Sequence, residues 1–165
     1  MSERLKSAIS KLYRPHPQRR QVITLSQADA ERLPPLPNVG IISITSPGRA
    51  PATIDGFDFL LRLAFEDVNF LDPELSSRAK EKLPGSFTSA QAARIRDFVD
   101  NLPQTVRTII VHCAGGFSRS AAVAVSLHRI YGYEVEVERL KKANDSVIQV
   151  LTGVASGNPK RRSRR

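Results

Sequence analysis

"VRTIIVHCAGGFSRSAAVAVSLHRIYG", residues 106–132, reads as three parts in a set order. The run up to Cys113 is apolar and β-branched, the pattern of a strand buried on both faces. Gly115 and Gly116 then break it with a turn. From Ser118 onward, small and apolar residues recur at helical spacing until Gly132, whose freedom at positive φ suits a helix C-terminus. Strand, turn and helix in this order form the repeating unit of an α/β protein.

The flanking sequence supplies more of the same parts. "QVITLS" (21–26), "VGIISIT" (39–45) and "FDFLLRLAF" (57–65) read as strands. Ser26 is placed to cap a short helix, "QADAERL" (27–33), which the prolines at 34, 35 and 37 end. "FTSAQAARIRDFVDNLP" (87–103) is a helix with Thr88 and Gln91 as its capping box. Its apolar face is Ala92, Ile95, Phe98, Val99 and Leu102. "EVEVERLKKANDSVIQVLTG" (134–153) supplies one or two further helices. The expected fold is therefore α/β, a central and mostly parallel sheet of four to five strands flanked by helices. Between the third strand and the next helix, "EDVNFLDPELSSRAKEKLPGS" (66–86) is polar and long for a simple connection, a length often associated with function.

With 165 residues, the chain is expected to form one domain. We divide it into a basic N-terminal segment (1–20), a body (21–153) and a basic, disordered tail (154–165). The net charge of +9 is concentrated in the two ends, which read as solvated tails; contact with nucleic acid or an anionic surface is the alternative. Leu5, Ala8, Ile9, Leu12 and Tyr13 nevertheless fall at helical spacing, so a helix packed on the body is expected there. A single cysteine fits a reducing, cytoplasmic setting, and no apolar run is long enough to span a membrane. His16 and His128 have no companions at ligand spacing, so neither metal nor cofactor is implied.

Cys113 therefore sits at the carboxyl end of a buried strand, ahead of a glycine turn and a helix N-terminus. In such sheets ligands bind beyond the strand ends. The backbone amides of Ala114, Gly115, Gly116, Phe117 and Ser118 can converge on an anion, and the helix adds its positive end. Arg119 can offer a planar fork to two oxygens of a phosphate. The same field favours thiolate over thiol, making Cys113 a candidate nucleophile toward phosphorus. Ser120 can hydrogen-bond the sulfur as it leaves, and His112 is better placed to brace the loop through backbone groups than to act as a base.

"HCAGGFSRS" (112–120) resembles H-C-x-x-G-x-x-R-S, the signature of cysteine-dependent tyrosine and dual-specificity phosphatases, and residues 21–152 resemble their compact bacterial members more loosely. The resemblance implies a phosphomonoester hydrolase working through a phosphocysteine, on phosphorylated protein or a small phosphomonoester. It assigns Cys113, Arg119 and Ser120 to catalysis and asks for a carboxylic acid on a nearby loop. Where the family commonly places that acid, positions 73–96 hold no Asp, a departure from the pattern. Asp67, directly after the third strand, is the leading candidate, with Asp72 and Glu66 as rivals. Asn144 stands where relatives often carry Asn, although a helix cap is its simpler role. Arg49 lies in a loop from which it could reach substrate, though a solvated arginine is the simpler reading. Two other readings stay open: a non-catalytic phosphate-binding module, and a phosphatase for a small metabolite or lipid.

Overall fold

The computed structural model describes residues 1–14 and 18–156; His16 and the basic tail beyond residue 156 lie outside the described residues. In chain order the elements are α1 (Glu3–Tyr13), β1 (Gln21–Ser26), α2 (Gln27–Ala30), β2 (Val39–Thr45), β3 (Phe59–Ala64), α3 (Ser77–Glu81), α4 (Ser89–Asp100), β4 (Thr108–Cys113), α5 (Arg119–Tyr131) and α6 (Asp145–Ser156). The protein is α/β, with four parallel strands in the order β1-β4-β2-β3 and helices packed on the sheet.

The last strand in sequence is thus inserted between the first two. All six residues of β4 are buried, the polar Thr108 and His112 included, as a central parallel strand covered on both faces requires. Alternation along the strands divides the core into two clusters. Val22, Ile42, Ile44, Ile109 and Val111 pack with residues of α4, α5 and α6. Ile23, Leu25, Ile41 and Ile110 pack with Leu5, Ala8 and Leu12 of α1 and Ala30 of α2.

The helix expected from the N-terminal apolar stripe is α1, packed on the body. Its apolar stripe is buried in the second cluster, while Arg4 and Lys11 are held by Glu136. Tyr13, counted with that stripe in sequence, instead lies exposed at the helix end. Among the described residues no helix is long and apolar enough to cross a membrane.

Helix ends follow local chemistry. Ser26 Oγ accepts from Asp29 N to start α2, which stops at Ala30, shorter than its sequence pattern. The Thr88–Gln91 capping box starts α4, and Gly132, at φ 79°, ends α5. Residues 66–86 are only partly loop, because they contain α3 and a 3₁₀ turn at Leu83–Gly85. The segment 134–153 resolves into a 3₁₀ turn at Val137–Arg139 and the first turns of α6.

Because all four strands are parallel, their carboxyl ends share one rim. Ser26 of β1 stands in register with Cys113 of β4, while Thr45 and Ala64 end β2 and β3 in register with each other. Gln27, Ser46 and the Phe65–Asp67 segment follow directly, so residues far apart in sequence converge around Cys113.

Candidate functional site

Cys113 ends β4 with 2% of its surface exposed. Its Sγ receives the Gly116 amide at 3.3 Å and lies 3.2 Å from Ser120 Oγ. Burial alone would raise the thiol pKa. The Ser120 hydroxyl, the Ser120 and Gly116 amides and the Arg119 charge outweigh it, and the net shift is downward.

The loop is folded tightly against β1, and one residue shows why. Gly116 adopts φ 83°, and a Cβ there would lie 2.8 Å from Leu25 C and Ser26 N. Both the left-handed backbone and the close approach demand glycine. A further backbone bond, Gln27 N to Ala114 O at 3.2 Å, pins the start of the loop to α2. Ala114 and Gly115 are exposed, and Phe117 is half-exposed beneath the Arg139 guanidinium, 5.2 Å from its ring centroid.

His112 is wholly buried. Its Nδ1 faces Cys113 O at 3.3 Å and its Nε2 lies 2.6 Å from Ser43 Oγ. A carbonyl can only accept, so this network assigns the proton to Nδ1 and makes Ser43 the donor to Nε2. Burial pushes the imidazole pKa down, which keeps the ring neutral. Ser43 was not singled out in sequence; it reads there only as one polar residue within an apolar strand.

Arg119 is 5% exposed. Its Nη1 donates to Phe65 O at 2.8 Å and to Ser46 Oγ at 3.1 Å, which fixes the plane of the guanidinium. Its Nε is buried with no partner among the described residues. A buried donor left open is costly, so this Nε is a polar group still owed a partner.

The carboxylates separate by position. Asp67 Oδ1 accepts from Ser118 Oγ at 2.7 Å and from Asn144 Nδ2 at 3.1 Å, so Asp67 is moored to the glycine loop. Asp72 Oδ1 instead accepts from Glu74 N in an exposed local turn. The Glu66 side chain lies against Gly85, where an added Cβ would fall 2.9 Å from Glu66 Cγ. Asn144 takes the helix-cap role expected of it and also touches Asp67. Its Oδ1 accepts from Ser146 N at 3.0 Å at the start of α6, while its Nδ2 reaches Asp67 and Val68 O.

Beside the loop opens a cleft of ≈ 430 Å³ bordered by Gln27, Thr45, Ser46, Arg49, Ala114 and Arg119. The arrangement sets a buried sulfur with a lowered thiol pKa close to a buried arginine, with the Asp67 carboxylate at the rim. Compared with known proteins, the sequence matches no family model and no curated protein.

Proposed function

We propose that this protein is a cysteine-dependent phosphomonoester hydrolase, with phosphotyrosyl protein as the favoured substrate. One observation carries the reading: a thiol with lowered pKa lies within hydrogen-bonding reach of a loop amide and a hydroxyl, beside a buried arginine with an open Nε. Buried sulfur that serves only packing has no need of such surroundings.

In the proposed reaction the substrate phosphoryl group lies over the loop amides and Arg119. The Cys113 thiolate attacks phosphorus, forming an S–P bond as the bond to the leaving oxygen breaks. Asp67, entering protonated, gives its proton to that oxygen. Water then attacks the phosphocysteine, Asp67 takes its proton, and the S–P bond breaks to release inorganic phosphate. Ser120 Oγ, 3.2 Å from Sγ, steadies the departing thiolate. His112 is a positioning residue, tied to Ser43 and to the Cys113 carbonyl.

The test is hydrolysis of an aryl phosphate and a phosphotyrosine peptide by wild type and Cys113→Ser. Turnover should disappear in the serine variant while phosphate or vanadate binding partly survives, since the amides and Arg119 remain. Appreciable turnover by Cys113→Ser would end the proposal.

A further inference from the structure

Ser46, Pro47, Gly48 and Arg49 form a reverse turn directly after β2. Arg49 N donates to Ser46 O at 3.2 Å, and Gly48 takes φ 81°, with proline before it. These are the features of a type II turn, whose third residue requires positive φ. A Cβ on Gly48 would meet nothing within 4 Å, so glycine serves the backbone there and not packing.

The two ends of this turn face the same cleft. Ser46 at its start accepts from the Arg119 guanidinium, and Arg49 at its end lines the cleft with Arg119. Arg49 is exposed, and like Arg32 and Arg107 it has no hydrogen-bond or ion-pair partner for its side chain among the described residues. No residue lining the cleft is acidic; its other polar groups are Gln27 and the hydroxyls of Thr45 and Ser46. Two cations bordering one polar cleft, without a carboxylate between them, concentrate positive potential there.

We infer that Arg49 is a second anion-binding residue of this site, selecting phosphomonoesters that carry one further anionic group. The inference rests on the proposed phosphatase reading for its first anion, the phosphoryl group at Arg119. The second group has the chemistry of a carboxylate or phosphate, which a guanidinium binds through a paired fork. It is supplied either by an acidic side chain next to the phosphorylated residue of a peptide or by a second phosphate on a small polyol.

Calorimetric titration of Cys113→Ser, with and without Arg49→Gln, separates these sources. One ligand pair is a phosphotyrosine peptide with Glu or Gln beside the phosphotyrosine. The other is inositol 1,4-bisphosphate and inositol 1-phosphate. In one pair the more anionic member should bind about tenfold tighter, and Arg49→Gln should bring that ratio close to one. The pair that responds identifies the source. The same ratios taken as kcat/KM in wild type and Arg49→Gln provide a reading that does not depend on the serine variant. Equal affinities within both pairs, or a preference that survives Arg49→Gln, would overturn the inference. Failure of wild type to hydrolyse any aryl phosphate would instead sink the phosphatase reading, leaving the binding ratios to judge the second anion site.

Discussion

At Cys113, burial and hydrogen bonding oppose each other, and the balance has a measurable sign. Burial at 2% exposure favours the neutral thiol, but Ser120, Gly116 and Arg119 favour the thiolate by more. A lowered thiol pKa means a larger thiolate fraction at neutral pH than a free cysteine has. Alkylation by a small reagent such as iodoacetamide should therefore reach half its limiting rate below the free value of about 8.5. Ser120→Ala should move the midpoint upward, since it removes the hydroxyl 3.2 Å from Sγ. A wild-type midpoint at or above that of a free thiol would contradict the balance described here.

The strand–turn–helix element around Cys113 is local, which is why residues 106–132 could be read directly. Apolar pattern, two glycines and a helix stop lie within one continuous stretch. The partners that complete the site come from other strand ends. Ser43 reaches His112 from the middle of β2, Ser46 and Phe65 hold Arg119 from beyond β2 and β3, and Asn144 holds Asp67 from the start of α6. Such contacts depend on strand order, and no local periodicity encodes the insertion of β4 between β1 and β2. The acid also belongs to this scale, because the segment leaving β3 decides which carboxylate approaches the loop. In the proposed reaction Asp67→Asn should cut kcat for a phosphotyrosine peptide by about 10²–10⁴-fold. The loss should be far smaller for an aryl phosphate with a good leaving group. Asp72→Asn, altering only an exposed turn, should change little. If the two variants exchange behaviours in steady-state assays, the acid is Asp72.

Across the whole molecule, the N-terminal helix is joined to the segment between α5 and α6. Arg4 forms a paired fork with Glu136, at 2.6 and 2.8 Å, and also donates to Thr24 O of β1. Lys11 adds a third contact to the same carboxylate at 2.8 Å. Burial alone would raise the Glu136 pKa, but hydrogen bonds from Arg4 and Lys11, with their charges, hold it at about 2. A depressed carboxylate pKa contributes stability above its unfolded value, and that stability is lost as pH falls through the folded value. Glu136→Gln should therefore cost about 2 kcal/mol near neutral pH, measured by urea denaturation. The difference from wild type should narrow below about pH 4.5 and close near pH 2. A cost that does not change with pH would mean that packing of α1, and not this ion pair, secures the segment.

Trapping the covalent intermediate tests the central claim most directly. Wild-type protein mixed with excess aryl phosphate, quenched in acid within milliseconds and digested, should yield one peptide heavier by a single phosphoryl group. Fragmentation should place that group on the sulfur of Cys113, and it should be missing from Cys113→Ser. Steady turnover of the aryl phosphate with no phosphoryl group on Cys113 at any quench time, or with the group on another residue, would contradict the account.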